Sequence, residues 1–123
     1  MLYFGHQKLR KGQFHSGSGK AILCDPPKRL LDFTRGIMDK GGFTSMNLDI
    51  FETTDGRYLV NELQSLFGSY SPIQMRVDDK SARYRYESLA GKWILEEGIF
   101  CQNGSCNLRV KALLKVLGKS FED

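Results

Sequence analysis

The amino-acid sequence predicts an α+β domain, a largely antiparallel sheet with two helices. Three observations carry that expectation. The pair Asp55-Gly56 lies between two apolar-rich stretches of strand length, the first running from Ser45 and the second to Gly68. Asp-Gly flanked in this way is a strong hairpin signal. Leu30, Leu31, Phe33, Thr34, Ile37 and Met38 recur at helical spacing between Asp25-Pro26-Pro27 and Gly41-Gly42. Leu108, Val110, Leu113, Leu114 and Leu117 form a second helical stripe that stops at Gly118.

In chain order, Leu2 to Leu9 and Gln13 to Ser16 read as a first hairpin, with Lys8, Arg10 and Lys11 concentrating positive charge at its tip. His15-Ser16-Gly17-Ser18-Gly19-Lys20 follows, a loop rich in glycine and serine that enters a short strand, Ala21 to Cys24. Glycines let backbone N–H groups turn toward an anion and Lys20 adds charge, which makes this loop a candidate phosphate contact. It is not a Walker loop, because the four-residue spacer and the Gly-Lys-Ser/Thr ending are missing. Taken alone, an ordinary surface turn is the plainer reading. Asp25 is expected to cap the first helix, with the prolines in its first turn. The stripe along that helix reads as core.

The central hairpin carries the chemistry. With Asp55 and Gly56 as a two-residue turn, Thr54 faces Arg57, Phe51 faces Val60, Asp49 faces Glu62 and Asn47 faces Gln64. Alternation along a strand then puts Asn47, Asp49, Glu62 and Gln64 on one face. Met46, Leu48, Ile50, Leu59 and Leu63 fall on the other. Two carboxylates directly opposite, ~5 Å apart, repel each other. A cation between them, or a retained proton, removes the conflict. Oxygen-only donors suit a hard ion such as Mg²⁺ or Mn²⁺ rather than zinc. The bland alternative is a solvent-facing surface on which the repulsion is screened.

Beyond Gly68, Ser69 to Pro72 reads as a linker, and Ile73, Met75 and Val77 alternate as a strand ending at Asp78-Asp79. Arg83 and Arg85 alternate with Tyr84 and Tyr86. That pattern fits either base stacking on tyrosines between arginines or a half-buried strand with a solvated cationic face, and the second is preferred. Trp93, Ile94, Leu95, Ile99 and Phe100 add apolar surface, and Ser105 or Asn107 is placed to cap the last helix.

Composition sets the limits. The chain has 123 residues, enough for one domain with a core, and a net charge of +4. That charge favours anionic ligands such as nucleotides and gives little support to nucleic acid. No apolar run approaches membrane-spanning length and no signal peptide is visible, so a cytoplasmic location without membrane contact is expected. Cys24, Cys101 and Cys106 lack zinc-ligand spacing and are expected as free thiols. His6 and His15 are far from Cys101 and Cys106 in sequence, which argues against nucleophilic chemistry.

Asp49, then Asn61-Glu62-Leu63-Gln64, then Phe67-Gly68 resembles the metal-binding end of the ATP-grasp ligases, the superfamily of D-alanine–D-alanine ligase and the ribosomal-protein glutamate ligases. Their pattern is an Asp-bearing strand, a short turn, a strand with Asn-Glu-x-Asn, and Pro-Gly shortly after. Gln64 stands here for the usual Asn and Phe67 for the usual Pro, which puts the second metal position in question. Gly12-Gln13-Phe14-His15-Ser16-Gly17-Ser18-Gly19 is similar in layout to the glycine loop of the ribosomal-protein glutamate ligases, although the Asn, His and Arg before those glycines are not matched position by position. The resemblance covers Leu9 to Gly68, and the rest of the chain loosely.

It implies the C-terminal half of an ATP-grasp fold, with residues 1–68 as core and 69–123 as a C-terminal extension of one domain, 1–123. It implies ATP and Mg²⁺ (or Mn²⁺) as cofactors, with Asp49, Glu62 and Gln64 as metal ligands and His15, Ser16 and Lys20 as phosphate or substrate contacts. The implied reaction is a carboxylate–amine ligation through an acyl phosphate, on a small-molecule carboxylate or a peptide. The adenine pocket and the lysines that grip the α- and β-phosphates are not found in this chain. It is therefore expected to be inactive alone and to work with a missing N-terminal half. The rival reading is a non-catalytic binding or scaffold domain that keeps the fold without the reaction.

Overall fold

The computed structural model describes residues 1–3, 5, 7–8, 21–65, 74–101 and 106–119. The described elements are β1 (Leu2–Tyr3), β2 (Gln7–Lys8), β3 (Ala21–Ile22), α1 (Lys28–Gly41), β4 (Asn47–Glu52), β5 (Tyr58–Gln64), β6 (Arg76–Val77), β7 (Lys80–Glu87), β8 (Lys92–Glu97) and α2 (Cys106–Val116). All the pairings are antiparallel, so the class is α+β, as the patterning predicts. The chain forms two compact units. One joins Met1–Pro26 to Ile73–Cys101, and the other joins Pro27–Pro72 to Gln102–Asp123. Each therefore draws on both sides of residue 68.

In the first unit β7 is the central strand, flanked by β1 and β8, with β6 paired at its start. Leu2 and Tyr3 pair with Arg85 and Tyr84. β2 pairs with β3, and the expected partner strand, 13–16, lies outside the described residues. Met75 and Ala82 are fully buried, and Gln74 is 4% exposed beside them. Gln74 acts as a polar staple: its Nε2 donates to the carbonyls of Ala82 (2.8 Å) and Gly98 (2.7 Å), and its Oε1 accepts from the Phe100 N–H (2.9 Å).

Two residues, Asp78 and Asp79, make the β6–β7 turn, as the sequence predicts. Both have positive φ, 49° and 61°, the backbone of a type I′ hairpin turn. Glycine takes that region freely, Asn and Asp only occasionally, and other residues resist it. Replacing the pair by Asn-Gly is expected to raise stability by about 1 kcal/mol. Urea unfolding of the variant checks this, and a midpoint at or below that of wild type would refute the turn assignment.

The second unit holds α1, the β4–β5 hairpin and α2. The helix starts two residues later than expected. Its N-cap is Pro27, extended at φ −64° and ψ 145°, and no side chain caps it. A residue preceding proline is held in extended backbone, and two consecutive prolines hold Asp25 and Pro26 there. Asp25 instead accepts a hydrogen bond from the Tyr84 hydroxyl at 2.8 Å within the first unit. Burial, with that bond, pushes the Tyr84 hydroxyl up to about 12. At its C-terminal end α1 closes on Gly42 in the left-handed region, with Gly42 N–H bonded to Asp39 O and Phe43 N–H to Met38 O, the double bond of a Schellman cap. Leu31 and Thr34 are its buried residues.

α2 ends in the same way at Gly118, φ 66°, with Gly118 N–H on Lys115 O and Lys119 N–H on Leu114 O. Its start differs from expectation: Asn107 lies inside the helix and Ser105 is outside the described residues. Within the apolar stripe, Val110, Leu113 and Leu117 are exposed. Among the described residues no helix is long and apolar enough to cross a membrane.

Candidate metal centre

The β4–β5 hairpin reaches the expected pairing by an unexpected route. Thr53 N–H donates to Arg57 O and Gly56 N–H to Thr53 O, each at 2.9 Å, and Gly56 sits at φ 81°. This is a three-residue loop with glycine in the left-handed position, not the two-residue turn. Thr53 fixes it from within: its hydroxyl accepts the Arg57 N–H at 2.9 Å and bonds the Asp55 carboxylate. The Thr53 bond first, and then the Arg57 Nε bond to the same carboxylate at 2.8 Å, hold the Asp55 carboxyl below the ordinary range.

The longer loop displaces the register by one residue near the turn, so that Phe51 faces Leu59 and Ile50 faces Val60. An irregularity after Asp49 restores it, with Asn61 as the extra residue of β5. Past that bulge Asp49 faces Glu62, Leu48 faces Leu63 and Asn47 faces Gln64. Two offsets of opposite sense cancel. The same offset moves Leu59 to the face of Asp49 and Glu62 and moves Val60 to the opposite face, exchanging the sides expected for them.

α1 meets one face near the turn. Tyr58 meets Phe33 with ring centroids 5.4 Å apart, and the Arg29 guanidinium lies 5.0 Å from the Tyr58 ring centre. Arg29 also bonds the Glu52 carboxylate and the Gly56 carbonyl, the latter at 3.1 Å. Nothing in the sequence pairs Arg29 with a strand 23 residues later; only the fold does.

The other face carries the candidate ligands. Asp49 and Glu62 are exposed, and Asn47 and Gln64 are half-buried. Asn47 Nδ2 donates to Gln64 Oε1 at 3.1 Å and to Asp49 Oδ1 at 3.3 Å. Two cross-strand carboxylates and two amide side chains therefore share one open surface, as the pairing predicts. Asp49, Glu62 and Gln64 carry oxygens of the kind a hard divalent cation takes, whereas Asn47 turns its NH₂ toward two of them. Among the described residues no group of three or more His, Cys, Asp or Glu side chains gathers to hold a metal, so a cation here would rely on the Gln64 amide oxygen and on ligands from outside the chain. His15, Ser16 and Lys20 lie outside the described residues, as do Phe67 and Gly68.

The Arg/Tyr strand is occupied by its own partners. Arg83 and Arg85 both bond Glu96, at 2.7 and 2.6 Å, the Tyr84 hydroxyl bonds Asp25, and Tyr86 meets Trp93 edge-on at 5.1 Å. Charge and rings that a nucleic acid would use are engaged internally. All three cysteines are free thiols.

Comparison of the chain with family models, curated proteins and solved structures finds no match.

Proposed function

We propose that the chain is the Mg²⁺–ATP-binding C-terminal portion of an ATP-dependent carboxylate–amine ligase of the ATP-grasp type. The observation that carries this reading is the hairpin register: Asp49 opposite Glu62 and Asn47 opposite Gln64, both carboxylates exposed. An Asp–Glu pair across a sheet costs stability unless something positive uses it. Asp49, Glu62 and Gln64 would hold the ion, and His15, Ser16 and Lys20 would approach phosphate or substrate. A divalent cation in that position neutralises charge on a transferring phosphoryl group. The chain's own part is to orient oxygens from two strands on a hairpin that Arg29 ties to α1. The carboxylate or peptide substrate would meet the site from another part of the enzyme. Consumption of ATP and three free thiols suit the cytoplasm.

Mn²⁺ is the probe. Added to the 123-residue chain, it is expected to broaden NMR signals near Asp49 and Glu62 first, more strongly once ATP supplies phosphate oxygens to its shell. Asp49→Asn should abolish that broadening while making the metal-free protein slightly more stable, by about 0.2–1 kcal/mol, since it removes one of two opposed charges. Broadening centred on Asp78-Asp79, or unchanged in Asp49→Asn, would overturn the reading. A fold that binds without catalysing would show the same metal binding but would add nothing to ligation when joined to a nucleotide-binding half.

A further inference from the structure

We propose that α2 lies on an anionic lipid surface, with its exposed apolar side below the headgroups and its lysines among them. The proposal is independent of the ligase reading and uses none of the hairpin's candidate ligands. Val110, Leu113 and Leu117 are spaced i, i+3 and i+7, which places them on one side of the helix. They are 44%, 55% and 60% exposed, and Val116, next to Leu113 on the helix surface, is 65% exposed. Apolar residues scattered singly over a surface are ordinary, but a contiguous apolar side left in water marks a contact.

Charge decides what that contact is. From Cys106 to Lys119 the chain holds Arg109, Lys111, Lys115 and Lys119 and no carboxylate. Lys111, Lys115 and Lys119 follow at successive steps of four, an exposed ridge beside the apolar side. A lysine stem lies along apolar surface while its ammonium reaches polar groups. An apolar side and a cationic ridge match the two layers of an anionic membrane boundary.

Other occupants suit this helix less. A second copy of α2 brings four more cations and no carboxylate. A helix about 16 Å long also covers far less than the ~800 Å² per partner of a stable dimer. A groove in an acidic protein encloses the helix it binds, whereas α2 is held to its own unit. Arg109 Nη2 donates to Ser65 O at 2.8 Å, and Leu108 and Ala112 are half-buried. A flat surface takes a helix that presents one side. No described helix is long and apolar enough to cross a membrane, but lying on one requires only an apolar side and a charged one.

The test is co-sedimentation of the 123-residue chain with vesicles of phosphatidylcholine, with and without about one third phosphatidylserine. The chain is expected to sediment with the anionic vesicles and not with the neutral ones, and to be released as salt rises. Lys111→Gln and Lys115→Gln should each weaken binding about five-fold, and Leu113→Glu should abolish it. The unfolding midpoint of Leu113→Glu should barely move, because the side chain is exposed. The lysine variants carry the test if Leu113→Glu unfolds. Leu89, fully exposed between β7 and β8 in the first unit, is the control, and Leu89→Glu should bind like wild type. No sedimentation with anionic vesicles, equal sedimentation with neutral ones, or undiminished binding by Leu113→Glu overturns the proposal. So does an equal loss in Leu89→Glu. A dimer that Leu113→Glu dissolves, or capture of soluble polyglutamate without vesicle binding, gives the apolar side to another occupant and overturns it as well.

Discussion

Replacing Gln74 by methionine is expected to destabilise the first unit by about 3–4 kcal/mol, although the volume hardly changes. Gln74 is 4% exposed and lies against Met75 and Ala82, both fully buried. Its amide satisfies three backbone groups: the carbonyls of Ala82 and Gly98, and the N–H of Phe100. A thioether of similar size fills the space but leaves all three without that partner. Each buried polar group so orphaned costs about 1–3 kcal/mol, and local relaxation keeps the total below the simple sum. Gln74→Glu should fail as well, because a carboxylate accepts from Phe100 but repels the two carbonyls. Trp93, the single tryptophan, sits in β8 of the same unit and reports unfolding in urea by fluorescence. A loss under about 1 kcal/mol for Gln74→Met would mean that the staple does not hold the strands.

Nothing local in the sequence marks Gln74 for that task. It follows a linker and precedes an alternating stretch, and its three partners lie 8, 24 and 26 residues further on. What could be read were features with a local physical cause. Gly42 and Gly118 stop their helices because only glycine takes the left-handed cap without cost, and the stripe of α1 buries Leu31 and Thr34. The Asp78-Asp79 turn is marked by the polar pair between alternating runs. Asp25 was misplaced because an aspartate before a helix signals a cap, whereas the prolines that follow hold it too far back to serve. The candidate ligands lie between these cases. Asp49–Glu62 and Asn47–Gln64 were legible because the register that a two-residue turn implies coincides with the one the hairpin reaches by another route. The turn that produces it was not, because the three-residue loop and the Asn61 bulge compensate for each other. Leu59 and Val60, caught between the two irregularities, changed faces.

The other large effect concerns the ion cluster on the sheet of the first unit. Glu96 places one carboxylate oxygen on Arg83 Nε at 2.7 Å and the other on Arg85 Nε at 2.6 Å. Its side chain is 25% exposed and that of Arg83 16%, and the Arg83 guanidinium stacks 3.8 Å from the centre of the Phe100 ring. One anion thus holds two cations on neighbouring positions of β7. Glu96→Gln keeps the shape, but its NH₂ end must face a guanidinium, donor against donor, and the two arginines lose their shared counter-charge. A charge-assisted hydrogen bond contributes about 1.5–3 kcal/mol, less where solvent reaches the pair, so a loss of about 1–2 kcal/mol at pH 7 is expected. The pH dependence gives a sharper check. The Arg85 hydrogen bond, and after it Arg83, hold the Glu96 carboxyl below its ordinary range. A carboxylate depressed in the folded state contributes stability that is fully present above its unfolded value, near 4.5, and is lost as pH falls through the depressed one. Protonated Glu96 resembles glutamine, so the stability gap between wild type and Glu96→Gln should hold from pH 7 to about 5 and close on further acidification. Because the variant carries every other carboxylate of the chain, the difference isolates Glu96. A gap that stays constant down to pH 3 would mean that the carboxylate charge is not what binds Arg83 and Arg85 to β8.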